Sequence, residues 1–188
     1  MSVKIDRRKQ YTRMVLKDSF IKLLQEIPLA NITIKGVCEH ADINRSTFYS
    51  HFTDLYDLLH QVEDDIIEDL NQALSTYSYS IEEENYQMIE KVLEYLVENR
   101  ESCETLFSEH GAPSFQRKVM MLAHTHFNKL WTVESNTLPH NVEYLSQYIV
   151  NGSIHVIQIW LKNGSKESPK EMAELIQKLA NRGLSSFL

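Results

Sequence analysis

Between Thr33 and Phe52 the sequence reads TIKGVCEHADINRSTFYSHF, two stretches of helical periodicity joined by Asp42, Ile43 and Asn44. In the first, Ile34, Val37, Cys38 and Ala41 recur at i, i+3, i+4 and i+7 behind Thr33, a helix-capping residue. Neither stretch is long enough to hold as a helix by itself, so both must pack on something else. A longer amphipathic run precedes them: Leu16, Phe20, Leu23, Leu24 and Ile27 fall on one face between about Arg7 and Ile27, and Pro28 then stops the helix. In the joint, Asp42 tolerates the left-handed conformation of a tight turn, Ile43 is an apolar plug and Asn44 caps the next helix. Two short helices joined this way and backed by a longer one form a helix-turn-helix. Phe48 and Phe52 then pack the second short helix onto the first, and Arg45, Ser46, Thr47 and Tyr49 are left to face a DNA groove.

The charges agree with that division. Net charge over the 188 residues is −7, but residues 1–55 hold nine Lys or Arg against six acids, +3, which leaves −10 for the rest. A basic head on an acidic body attracts phosphate locally while the whole chain resists non-specific adhesion. With 43% hydrophobic residues, five glycines and four prolines, the composition suits a helical globular core. Cys38 and Cys103 are too few for a disulfide framework and lack CxxC spacing, so both are expected reduced and buried. No run of about 18 apolar residues occurs. The N-terminal MSVKIDRRKQYTRM is charged where a signal peptide turns apolar, so a cytoplasmic protein without a membrane partner is expected.

The run ITIKGVCEHADINRSTFYSHFTDLYDLL resembles the N-terminal signature of the TetR/AcrR family of bacterial transcriptional regulators, with the likeness extending over roughly Tyr11 to Val62. Two positions depart from the family pattern: Asp42 stands where the turn usually has Gly, and Leu55 where the fourth helix usually begins with Lys. The resemblance implies phosphate contacts from Thr33, Tyr49 and His51, and base reading by Arg45, Ser46 and Thr47. Each also has a purely structural alternative: Thr33 as a cap, Tyr49 as a core aromatic with a wet hydroxyl, His51 as a helix-end histidine.

Beyond the head, Asp54 with Asp57 opens a long helix whose Leu55, Leu58, Leu59, Val62, Ile66 and Leu70 keep helical spacing, a lever between head and body. Its acidic stretch, Glu63, Asp64, Asp65, Glu68 and Asp69, reads as a solvated face. The expected architecture is all-α, with a helix-turn-helix domain over 1–53, a connecting helix over 54–75, and a helical effector-binding and dimerisation domain over 76–188. Gly164 stops the penultimate helix, and Ser168, Pro169 and Glu171 start the last as a capping box. The penultimate helix is apolar around much of its circumference, and Gly152 permits a close backbone approach. The resemblance implies that the last two helices pair with their copies in a homodimer, through Tyr144, Tyr148, Gly152, Ile157, Trp160, Leu175 and Leu179. A weaker likeness, confined to WLKNGSKESP, is to the dihydroxyacetone kinase regulator subgroup.

Catalytic motifs are missing: no glycine-rich phosphate loop, GxSxG or HExxH occurs, and no cofactor or enzymatic activity is expected. Among His110, His124, His126, His140 and His155, the pair His124 and His126 diverges by about 200° on a helix, unsuited to one metal. Phe107, Phe115, Met121, Phe127, Trp131 and Tyr148 supply aromatic and methionine surface for an apolar effector cavity in the body. The expected function is a dimeric repressor on a near-palindromic duplex-DNA operator, released by a small apolar or cationic effector. The alternative is a regulator switched by a protein partner, or an activator without a small-molecule ligand.

Overall fold

The computed structural model describes residues 7–76, 82–134 and 142–182, which form helices and their connections with no strand among them. In order these are α1 (Arg7–Glu26), a 3-10 turn (Leu29–Asn31), α2 (Ile34–Ala41), α3 (Arg45–Tyr49), α4 (Leu55–Ser75), α5 (Glu82–Glu98), α6 (Arg100–Phe107), α7 (Pro113–Glu134), α8 (Val142–Lys162) and α9 (Pro169–Arg182). The chain divides into two compact units, Met1–Ile66 with Thr105–Ala112, and Ile67–Glu104 with Pro113–Leu188. A boundary inside α4, and a returning segment that joins the first unit, are features that helical periodicity does not carry.

In the first unit α1 packs on α2, and α2 on α3. The Gly36 N–H donates to Thr33 Oγ1 at 3.0 Å, so Thr33 caps α2 from an extended conformation. Asp42 closes α2 at φ 53°, ψ 45°, and the Ile43 N–H reaches back to the Cys38 carbonyl at 2.9 Å, a left-handed stop that satisfies the end of the helix. Asn44 holds the N-cap position of α3, but its side chain makes no capping bond; only its carbonyl accepts, from the N–H groups of Thr47 and Phe48. Phe48 and Phe52 are buried, ring centroids 5.6 Å apart, as are Leu16, Phe20, Leu24 and Val37 of the same unit. On α1 the inward face is Leu16, Ser19, Phe20, Ile21 and Leu24. Ile27, expected on that face, is exposed because the helix ends at Glu26 and the chain turns before it.

α4 starts with a reciprocal cap: the Asp57 N–H donates to Asp54 Oδ1 at 2.8 Å and the Thr53 N–H to Asp57 Oδ2 at 2.7 Å. Its polar side ties to α1. The Arg13 guanidinium donates to Gln61 Oε1, and Lys17 Nζ bonds the Gln61 carbonyl at 3.2 Å and pairs with Asp65. The acidic stretch is not all solvated: Glu63 is 0% exposed, with His60 Nδ1 at 3.2 Å. At 100° per residue Glu63 lies about 20° from Leu70 and about 40° from Leu59 on the same side, at the edge of the buried stripe.

In the second unit α5 packs along α9 and α7 along α8. Leu93, Leu96, Phe115, Ile154, Leu161, Met172 and Ile176 are among its buried residues. The capping box of α9 forms: Ser168 N–H and Oγ each reach Glu171 Oε2 at 2.8 Å, and the Glu171 N–H returns to Ser168 Oγ at 3.2 Å. Gly164 (φ 93°) and Ser165 (φ 49°) end α8, with the Ser165 N–H on the Trp160 carbonyl at 2.9 Å. Both cysteines are free and buried; burial pushes the Cys103 thiol up to about 12.

Candidate nucleic-acid interface

The short helix α3 has one inward position, Phe48, and this fixes what its other residues do. With Phe48 buried, Arg45, Ser46 and Tyr49 are exposed and Thr47 is half-buried. The Tyr49 ring packs edge-to-face with Phe48, centroids 5.6 Å apart at 87°, while the residue as a whole remains exposed. Ser50 ends the helix, its Oγ donating to the Thr47 carbonyl at 2.7 Å. Thr33, at the start of α2, is exposed, and its hydroxyl does act as a cap. A cap and an anion contact are compatible, because the first N–H groups of a helix leave donors and partial positive charge at that end.

His51 is half-buried next to Phe52, with ring centroids 6.3 Å apart. Burial, then the cations of Arg13 and Lys9, hold its imidazole below the ordinary value. Arg13 lies 5.5 Å over the Phe52 ring. Lys9, Arg13, Lys17 and Gln61 were not singled out from the sequence as site residues, although the i, i+4, i+8 spacing of the three cations on α1 is a readable signal. At the start of α4, Leu55 is half-buried and Tyr56 exposed, and the two carboxylates of Asp54 and Asp57 occupy that helix end. The hydrogen bond from the Thr53 backbone, then that from the Gln61 side chain, holds the Asp57 carboxyl low.

The residues expected to line an effector cavity are divided between the two units. Phe107 belongs to the first unit; Phe115 and Phe127, buried and half-buried, belong to the second. Met121 and Tyr148 are 70% and 79% exposed, so neither lines the interior of the chain: each sits on the solvent side of its helix. The side chain of Trp131 lies outside the described residues, as does His140. His124 and His126 do point to different partners, Ser146 Oγ at 2.7 Å and Asn71 Oδ1 at 3.3 Å. Among the described residues no group of three or more His, Cys, Asp or Glu is placed to hold a metal.

Of the residues expected at a subunit interface, Tyr144, Tyr148 and Gly152 lie on one exposed line of α8, with Ile159 further along it. A Cβ added at Gly152 meets nothing within 4 Å. Leu179 is exposed, and Ile157 and Leu175 are half-buried. Trp160, also expected there, is 3% exposed in its own chain, and its indole N–H donates to the Glu167 carbonyl at 3.0 Å, in the turn into α9.

The TetR_C_8 family, described as a transcriptional regulator C-terminal region, matches residues 83–182, just over half of the chain. The HTH-type transcriptional regulator YxbF of Bacillus subtilis is 22% identical over 175 residues, 89% of this chain; the chain spans 44% of that relative's length. Among solved structures, a TetR regulator from Streptococcus agalactiae superimposes with TM-score 0.71 at 23% identity, over 94% of this chain and 97% of that one. The dihydroxyacetone kinase operon activator DhaS gives 0.63 at 17%, over 90% and 93%. NalD, the secondary repressor of the MexAB-OprM efflux pump in Pseudomonas aeruginosa, gives 0.66 at 17%, over 93% and 97%. These likenesses show the fold, and no described helix is long and apolar enough to cross a membrane. The chain belongs to the TetR family of transcriptional regulators.

Proposed function

We propose that the protein binds a near-palindromic duplex-DNA operator as a homodimer and represses transcription until a small apolar or cationic effector releases it. The observation that carries the reading is the division of labour in α3: Phe48 anchors it, and Arg45, Ser46 and Tyr49 stand exposed one turn or less apart, with the capped start of α2 at Thr33 in the same unit. Arg45 suits guanine O6/N7 and the Thr47 methyl a thymine methyl, while Thr33, Tyr49 and His51 serve the backbone. The exposed line Tyr144, Tyr148 and Gly152 on α8 supports self-association, because a two-fold contact places the same patch on both copies. α4 is covalently common to both units, Leu55–Ile66 in one and Ile67–Ser75 in the other, which supports its role as the lever.

A second reading, regulation by a protein partner, draws on the exposure of Met121 and Tyr148 where an interior pocket was expected. Since DhaS is an activator and NalD a repressor by name, the shared fold accommodates either sign. The deciding experiment selects an operator from random duplexes and footprints it. Two protected half-sites related by a dyad are expected, and Arg45→Ala should lower the operator-to-scrambled affinity ratio whereas Tyr49→Phe weakens both alike. A single asymmetric half-site bound by monomers would refute the dimeric reading.

A further inference from the structure

Lys9, Arg13 and Lys17 follow one another at i, i+4 and i+8 on α1, yet they are not in equivalent electrostatic states. Lys17 is neutralised, paired with Asp65 and bonded to the Gln61 carbonyl at 3.2 Å. Arg13 is held by neutral partners: it donates to Gln61 Oε1 and lies 5.5 Å over the Phe52 ring. The acid that Arg13 influences, Asp57, is already committed, with Thr53 N–H at 2.7 Å, Thr53 Oγ1 at 3.2 Å and Gln61 Nε2 at 2.7 Å. Lys9 is exposed, and among the described residues no carboxylate lies within ion-pair distance of it. Among the described residues the stripe thus changes from compensated to uncompensated toward the N-terminal end of α1. His51 stands beside this stripe: its ring is 6.3 Å from that of Phe52, over which Arg13 lies at 5.5 Å, one helical turn from Lys9, and both cations oppose its protonation. Like charges gathered without a counter-ion are unfavourable in the free protein, and a bound anion removes that cost.

We propose that Lys9 extends the DNA-binding surface from α3 onto α1, its ammonium and the His51 ring taking one backbone phosphate between them, with Arg13 as the positioning residue behind Phe52. The proposal rests on the DNA-binding reading above. It assigns α1 a sequence-independent contact, so it concerns affinity and salt dependence and leaves base preference alone. Arg13 acts through packing: clamped between Gln61 and the Phe52 ring, it sets where His51 can stand.

The test is the salt dependence of binding of the full chain to a short mixed-sequence duplex and to the selected operator. Lys9→Gln should make the slope of log affinity against log salt shallower by about 0.9 per bound subunit, about 1.8 for the dimer, so that a fourfold rise in salt weakens the variant about 12-fold less than the wild type. Lys9→Arg should restore the slope, and the operator-to-mixed affinity ratio should not move. Lys22→Gln removes the same charge from an exposed position of α1 about 140° round the helix from Lys9, and should leave the slope unchanged. An unaltered slope in Lys9→Gln, or an equal change in Lys22→Gln, overturns the assignment while wild-type binding leaves the regulatory reading intact. A wild-type protein that binds neither duplex at low salt overturns both.

Discussion

The turn between α6 and α7 is where a single methyl group should do the most measurable harm. A Cβ added at Gly111 would lie 2.3 Å from the Leu106 carbonyl oxygen and 2.9 Å from its carbon, where ordinary contact begins at 3.4 Å. The obstacle is backbone in the last turn of α6, which cannot rotate away, so chain on one side of the turn must move by about 1 Å. Overpacking of this kind costs about 1–3 kcal/mol, against about 0.4–1 kcal/mol returned because alanine restricts the unfolded chain, so Gly111→Ala should lose about 1–2 kcal/mol. The disturbance has a direction. Next to Gly111, the His110 carbonyl accepts the Leu29 N–H at 3.3 Å and its Nδ1 lies 3.2 Å from the Leu24 carbonyl, at the end of α1 and at the 3-10 turn that leads to Thr33. Urea unfolding should show a lower midpoint with an unchanged slope, and amide exchange at Leu29 should quicken more than at Asn31, which bonds locally to Pro28. His110→Ala, which removes the ring bond without a clash, should cost about 0.5–1.5 kcal/mol. A wild-type midpoint and wild-type Leu29 exchange in Gly111→Ala would refute the claim that this turn is rigid.

Ser165→Gly should stabilise the protein by about 1 kcal/mol, seen as a raised melting temperature, because the position has φ 49° and the Ser165 hydroxyl is buried without a partner. Ser168→Ala removes the hydroxyl that accepts the Glu171 N–H and donates to its carboxylate, leaving only the backbone bond from position 168 to Glu171, and should cost about 1 kcal/mol, measured by urea unfolding. His51 and His126 are both held below the ordinary value of 6.5, mainly by burial, so the unfolded chain binds more protons than the native one just below that value. Stability should therefore be full above about pH 7 and fall as pH drops through about 6.5, and the double variant His51→Gln with His126→Gln should flatten that part of the urea-midpoint profile.

The helix-turn-helix was legible because its local signals agree, the side-chain cap expected of Asn44 excepted. Thr33 caps, Asp42 takes the left-handed stop, Ile43 follows it, and Phe48 and Phe52 point inward at the spacing that a two-helix corner needs. Where reading failed, one signal was allowed to stand for two. The charge of Glu63 suggests solvent, although its angular position, about 20° from Leu70, already puts it at the edge of the buried stripe. Trp160 was assigned outward because α8 is apolar all round; periodicity cannot rank two apolar faces, and the deciding partner, the Glu167 carbonyl, lies past the end of the helix. Met121 and Tyr148 were pooled with core aromatics by composition, which carries no direction. The stripe of Lys9, Arg13 and Lys17 was visible as spacing, but its meaning depends on Gln61 and Asp65, some 48 residues away in sequence for Arg13 and Lys17.

Those distant partners also bear on how a release mechanism is scaled. On the proposed reading, a tenfold loss of operator affinity requires about 1.4 kcal/mol of difference between the binding and non-binding states. The links from α1 to α4 are the Lys17–Asp65 pair, the bond from Lys17 to the Gln61 carbonyl, and the bond from Arg13 to the Gln61 side chain. A partly exposed ion pair contributes about 0.2–1 kcal/mol and each hydrogen bond about 0.5–1.5 kcal/mol, so loosening two of the three already supplies the tenfold. Gln61 is shared by two of them and is itself oriented by Asp57, which caps α4. A small rotation of α4 therefore meets its resistance at Gln61 and at Asp65 one turn further on, and through Arg13 it is delivered to the Phe52 ring, just past the end of α3, without any need for the helix-turn-helix to unfold.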